Sequence, residues 1–295
     1  MSDAPSWRRS VIDPIHTGLK RLFPGYGSPI IPVVRMSGTI GRISRFQAGM
    51  SLSGVAPLLK KAFDVRQAPA VALVISSPGG SPVQSHLIYK RIRSLAEEKE
   101  KTVIAFAEDV CASGGYMIAL AADEIVVDPA SIVGSIGVVS AGFGFVEFMR
   151  KVGVERRVYT SGDAKVILDP FQPEKPDDVA RLKAIQEEVH DHFIEMVRTR
   201  RGEVLAKDRD AEIFSGQFWS GKTAVSLGLA DRTGDLRAVL RERYGDNVRL
   251  KLFSTERTFF GQQRSVGLGG AIASGFAEKL IAELDEHHLW ERYRL

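Results

Sequence analysis

Ser113 lies in the stretch Ala107–Ala121, AEDVCASGGYMIALA, between small residues and at the start of an apolar helical run. A hydroxyl there, at the positive end of a helix, is a candidate nucleophile. Upstream, Ser76–Gly80 read SSPGG directly after the apolar run AVALVIS. A strand ending in a Gly-Gly turn presents backbone N–H groups, and such groups stabilise the oxyanion of acyl transfer. Together the two pieces supply a nucleophile and an oxyanion hole. They point to an acyl-transfer enzyme, with a serine peptidase as the favoured reading.

A serine hydroxyl needs a base. Six histidines are present: His16, His86, His190, His192, His287 and His288. None falls between residues 87 and 189. His190 and His192 sit in a long charged helical stretch, where a solvated or capping role is expected. His86, close to SSPGG, is a weak contender, and His287 and His288 have no evident acidic orienter. Lysine is the alternative, although a free lysine, with a pKa of about 10.4, is protonated at neutral pH. Burial among apolar neighbours disfavours the ammonium and turns it into a base. Lys165 occurs in TSGDAKVILDPF, followed by Val166, Ile167 and Leu168 and closed by Pro170. The residues by themselves leave two roles open for it, base or ordinary loop lysine.

Positioning these groups requires a scaffold. Strands are expected at Ile31–Ile40, Ala70–Ser76, Thr102–Ala107 and Glu124–Asp128, and helices at Val55–Phe63, Val83–Glu98 and Gly114–Ala122. Strands separated by helices at this spacing argue for βαβ units and a largely parallel sheet buried on both faces. Ile132–Val139 and Arg156–Thr160 read as further short strands. Asp177–Arg201 reads as a long helix with Val179, Leu182, Ile185, Val189, Phe193 and Val197 spaced for one face. Ala224–Leu227 and Leu236–Tyr244 look helical, and Val248–Phe253 looks like a closing strand. The tail from Arg264 is glycine-rich, then amphipathic, with Phe276, Leu280, Ile281 and Leu284 at helical spacing suited to docking or oligomerisation. Three parts are expected: an arm and linker at 1–29, the main domain at 30–255, and an extension at 256–295.

The 295 residues carry 40 Lys+Arg against 36 Asp+Glu, so the net charge of +4 is weak evidence for a nucleic-acid partner, and none is expected. Cys111 is the only cysteine, which excludes an intrachain disulfide and fits a reducing compartment. Two residues before Ser113, it is expected to be a buried, inert thiol. No metal-ligand cluster or Walker-type loop appears, so neither metal nor cofactor is expected. No run approaches the roughly 18–20 apolar residues that span a bilayer. The expected location is cytoplasmic. Peripheral contact with the membrane's inner face is the alternative role for Trp7–Phe23, although Pro14 interrupts that helix and an arm packed on protein is favoured.

The chain resembles the signal peptide peptidase A (SppA) family of Ser-Lys peptidases, within the wider Clp protease/crotonase-like fold. The matching pieces are SSPGG at Ser76–Gly80, CASGGYMIA at Cys111–Ala119, VGSIGVV at Val133–Val139, SGDAKVILDPF at Ser161–Phe171 and SGQFWSGKTAVSLGLAD at Ser215–Asp231. They occur in the family's order over about residues 30–255. The resemblance implies an α/β fold of repeated ββα-type units with a mostly parallel sheet and an added helical region. It implies Ser113 as nucleophile, Lys165 as general base, and the N–H groups of Gly80 and Gly114, with Gly79 as a further candidate, as oxyanion hole. Ser135 would orient the lysine amine, as the third member of a triad orients histidine. It also implies a ring-like homo-oligomer in which serine and lysine can come from neighbouring subunits, acting on short or unfolded peptides. Many family members carry an N-terminal membrane anchor that is not seen here, which leaves signal-peptide remnants as one substrate class among several.

Three rivals stand beside this reading. A crotonase-like acyl-CoA enzyme uses a similar two-amide hole but needs no serine nucleophile. A non-catalytic scaffold needs none of these residues. A histidine-based Clp-like triad is disfavoured by the absence of histidine between Ser113 and Lys165.

Overall fold

A computed structural model of the chain describes residues 28–41, 49–162 and 164–254. The expected arm and the amphipathic tail lie outside the described residues. The described chain is α/β. Its strands are β1 (Ile30–Ser37), β2 (Ala70–Ser77), β3 (Thr102–Ala112), β4 (Glu124–Val127), β5 (Ile132–Gly134), β6 (Phe218–Ser220), β7 (Arg232–Thr233) and β8 (Arg249–Phe253). They form one sheet of order β6-β5-β3-β2-β1-β8, with β4 and β7 branching from β3. Every pairing is parallel except β5 with β6.

Burial on both faces explains the near-continuous apolar strands. In β2, Val71, Leu73 and Ile75 point into one core and Ala70, Ala72 and Val74 into the other. Helices α1 (Leu52–Phe63), α2 (Pro82–Glu98) and α3 (Gly114–Ala119) cover the first face. Helix α8 (Leu236–Tyr244) covers the second, through Val239 and Leu240. The periodicity is plain in α2, whose Ile88, Ile92 and Leu95 are buried.

Strand β3 is longer than the apolar run alone predicts. Its first half pairs with β4 and its last residues, Val110–Ala112, with β5. One strand thus serves two neighbours, and its far end carries Ser113 past the edge of β4. The remaining elements are α4 (Val146–Val152), α5 (Pro176–Arg201), a 3-10 turn at Lys207–Arg209, α6 (Asp210–Ile213) and α7 (Gly221–Ser226).

Several expectations need correction. Arg156–Thr160 is not a strand but exposed coil, because no sheet edge reaches it. The strand expected over Ile132–Val139 stops at Gly134, where Ser135 turns into positive φ (+54°). The closing strand occurs but pairs with β1, at the edge opposite β6. Helix α5 spans the expected residues, yet its buried side chains, Phe193, Met196, Val197 and Arg201, all lie in the C-terminal half, and Ile185 is exposed. Strands β6 and β7, and α4, were not visible in the pattern. They are too short to show a period.

Candidate active site

The site is built where β2 and β3 end side by side, Ser77 opposite Cys111. Strand β2 leaves the sheet through Pro78, Gly79 and Gly80, and Ser77 ties this turn down from within. Its buried hydroxyl donates to Gly38 O (2.7 Å) and accepts from Gly79 N–H (3.2 Å). From outside, the segment after β1 clamps the same turn: Ile40 N–H donates to Gly79 O (2.7 Å) and Ser81 N–H to Ile40 O (2.8 Å). Ser81 then caps α2, accepting from Gln84 N–H.

Ser113 is the corner between β3 and α3. Its N–H donates to Gly134 O (2.8 Å) and its carbonyl accepts from Met117 N–H (3.0 Å). Between these anchors its backbone takes φ +50°, ψ −121°. A non-glycine residue at positive φ costs about 1–3 kcal/mol, and a strand-to-helix corner of this kind lifts the hydroxyl clear of the backbone. Ser113 is half-buried, whereas Gly114 and Gly115 behind it are buried.

The glycines meet at this corner. A Cβ on Gly79 would fall 2.8 Å from both Ser113 Cβ and Gly114 N, and one on Gly114 would lie 3.4 Å from Gly80 N. Gly80 N and Gly114 N are therefore neighbours beside Ser113, and neither N–H is bonded to a described group. Two unspent amides beside a serine are the kind of donors that can hold an oxyanion. Gly79 differs, because its N–H is spent on Ser77. Its part is steric, admitting the serine at a distance no side chain would allow.

Ser135 follows directly on Gly134, the residue whose carbonyl holds Ser113. Its own N–H donates to Gln217 O (2.7 Å) on the approach to β6, which fixes its unusual φ. Ser113, Gly79, Gly80, Gly114 and Ser135 are thus brought together by the ends of three strands.

No hydrogen bond or ion pair among the described residues joins Lys165 to them. It lies on an exposed loop, its N–H donates to Gly162 O (3.2 Å), and its ammonium makes no hydrogen bond or ion pair among the described residues. The burial that a base role would require is not supplied to Lys165 by the described residues. The loop is nonetheless organised. Phe145 stacks on Phe171 (5.5 Å), Arg156 lies over Phe171 (4.8 Å) and pairs with Asp169, and Phe145 N–H donates to Pro170 O (2.6 Å).

Two histidines change role. His190, expected to be solvated or capping, donates from Nε2 to Ile136 O (3.0 Å), so α5 braces the backbone one residue beyond Ser135. His86 makes no hydrogen bond to Ser113. Burial, with the nearby His192 and Lys90, holds its pKa below the ordinary histidine value. Sequence reasoning also missed Ser77 and Ser85. The buried Ser85 donates to Ser81 O (2.9 Å), and its Oγ sits where a Gly114 side chain would be. Serines at such positions resemble any turn or helix serine until the partner strand is placed. Among the described residues no group of three or more His, Cys, Asp or Glu is arranged to hold a metal ion.

Cys111 is fully buried and its thiol is pushed up to about 12 by desolvation. Because thiolate is the reactive form, alkylation by iodoacetamide at pH 8 is expected to be negligible in the folded protein and complete after unfolding in guanidinium. Mass spectrometry of both samples checks this, and rapid native labelling would contradict the buried placement.

The family model for peptidase family S49 matches residues 96–248, more than half of the chain. The chain belongs to peptidase family S49. The matched span includes Ser113, Ser135 and Lys165. A chloroplastic serine protease SPPA of Arabidopsis thaliana is 32% identical over 80% of this chain and 35% of its own length. Protease 4 of Haemophilus influenzae is 33% identical over 72% of the chain and 34% of its own. A protein of Brucella abortus named Na(+)/H(+) antiporter NhaA is 52% identical over 98% of this chain, which spans 40% of that protein. The S49 chain thus covers less than half the length of each of these relatives.

Proposed function

We propose that this S49 chain is a serine endopeptidase of the Ser-Lys type, cutting short or unfolded peptides. The observation that carries the reading is the strained Ser113 corner set against the two unspent amides of Gly80 and Gly114. In this reading Ser113 Oγ attacks the scissile carbonyl and gives its proton to the neutral amine of Lys165. The oxyanion is held by Gly80 and Gly114, and Lys165 returns the proton to the leaving amine. Water then repeats the sequence on the acyl-enzyme. Ser135 orients the lysine amine.

The lysine comes from a neighbouring copy in a homo-oligomer. Helix α4 has no buried residue, and Phe143, Phe148, Val152, Val154 and Tyr159 are each more than half exposed. So large an apolar surface around the Lys165 loop is that of an interface. Covering it would also supply the desolvation that a lysine base needs.

Among the described residues no helix is long and apolar enough to cross a membrane. The Brucella protein's name does not favour a transport reading, since this chain spans 40% of that protein and its candidate chemistry lies at the serine corner. A cytoplasmic site of action is the reading we adopt, with membrane-surface contact of Trp7–Phe23 as the alternative.

Mixing tests the shared site. Ser113→Ala and Lys165→Ala proteins are each expected to leave casein and fluorogenic peptides uncut. Co-assembled after dissociation, they should regain a statistical fraction of wild-type activity, because some sites then combine intact serine and intact lysine. Activity in Lys165→Ala alone would remove the lysine from the mechanism. Inactive singles without complementation would place both groups in one chain. Wild-type protein that assembles, binds acyl-CoA and cuts nothing would favour the crotonase-like rival.

A further inference from the structure

Helices α2 and α5 are linked through side chains at two levels. At the C-terminal level Asp123 bridges them, accepting from Arg93 of α2 (2.8 Å) and Arg200 of α5 (3.5 Å). Two helical turns earlier on each helix stand His86 and His192. There His192 Nε2 and His86 Nδ1 are 3.2 Å apart, with ring centroids 4.6 Å apart and planes inclined by 55°. The peptidase reading uses neither ring.

We propose that His86 and His192 form a two-histidine site for a divalent transition-metal ion such as Zn2+, bridging α2 and α5. With Zn–N bonds of about 2.0–2.1 Å, two nitrogens 3.2 Å apart subtend roughly 100° at the metal, close to the tetrahedral angle. The present hydrogen bond must open for this. Each ring rotates by about 40° so that both lone pairs converge on one point. No proton need be lost when both rings are neutral. The ring that donated its N–H shifts that proton to its other nitrogen, and both rings then ligate through free lone pairs.

His192 is exposed and His86 half-buried, so water can reach the ion and fill the remaining positions. The Asp123 bridge holds the helices in register, which lowers the ordering cost of bringing the two ligands together. Imidazole pairs suit Zn2+, Ni2+ and Cu2+, whereas Mg2+ and Ca2+ prefer oxygen. The inference is independent of the peptidase reading.

The test uses the full chain with His16, His287 and His288 replaced by Gln, so that histidines outside the described residues cannot supply the signal. Zn2+ is titrated in competition with a chromophoric chelator, and thermal melts are recorded with Zn2+ and with Mg2+. Zn2+ but not Mg2+ is expected to raise Tm. His86→Gln and His192→Gln should each weaken Zn2+ binding by more than about tenfold, since even the outer partners of metal ligands are worth roughly 10–100-fold. A readout without variants at the pair is Zn2+ protection of His86 and His192 from carbethoxylation, mapped by mass spectrometry. Undiminished Zn2+ affinity in both Gln variants, no Zn2+-dependent melt, or unprotected rings would each overturn the site and leave a simple hydrogen-bonded pair.

Discussion

Ser113→Ala should lower kcat by roughly 10⁴-fold or more, the scale seen when the nucleophile of a serine triad is removed. Folding and assembly should be nearly unchanged. The hydroxyl makes no hydrogen bond to a described group, and both backbone anchors of the corner, Gly134 O and Met117 N–H, survive the substitution. Stability is therefore expected within about 0.5 kcal/mol of wild type. Ser113→Gly sharpens the point. It should be equally inactive yet more stable, because glycine accepts φ +50° without the cost of about 1–3 kcal/mol that serine bears. Glycine's greater loss of backbone freedom offsets roughly 0.5–1 kcal/mol of that gain. Thermal melts and peptide hydrolysis on matched oligomers check both variants. A Ser113→Ala protein that still cuts, or a Ser113→Gly protein that melts earlier than wild type, would refute the strained-nucleophile account.

Gly80→Ala should damage stability and activity together. Its φ is +138°, and a Cβ there would lie 2.1 Å from the backbone oxygen of Ile40, which is held by Ser81 N–H. No rotamer relieves a clash with backbone, so the turn must move and the Ile40 clamp must break. A conformation nearly restricted to glycine costs about 1–3 kcal/mol, and overpacking a further 1–3. For a domain of this size about 3 kcal/mol lowers Tm by roughly 6–12 °C. Since Gly80 N is one of the two amides beside Ser113, hydrolysis should fall by about 10²–10³-fold or more even well below the melting transition. Calorimetry and assays at low temperature separate the two losses. Wild-type kcat in a folded Gly80→Ala protein would show that this amide does not hold the oxyanion.

Much of this site is legible before any fold is drawn. The run AVALVIS followed by SSPGG, and small residues flanking Ser113 ahead of MIALA, are local patterns with local causes. A continuous apolar run makes a doubly buried strand, glycines permit a turn that other residues resist, and a helical period follows at once. The βαβ order of the first three strands is readable for the same reason. Lys165 shows the opposite case, since its apolar neighbours argue for burial, yet Lys165 and Val166 are exposed and Ile167 and Leu168 only half-buried. Whether they are covered depends on what packs against them.

By itself the sequence determined the elements longer than a turn or two, the placement of Ser113 and the glycine turn at strand ends, and an inert cysteine beside them. Only the tertiary structure decided that β3 serves both β4 and β5, that Gly79 spends its N–H on Ser77 while Gly80 and Gly114 keep theirs, and that His190 braces the Ser135 turn. The reason is range. Periodicity and turn chemistry act over a few residues, whereas register, hydrogen-bond partnership and burial depend on segments tens of residues apart that meet only when the sheet has formed.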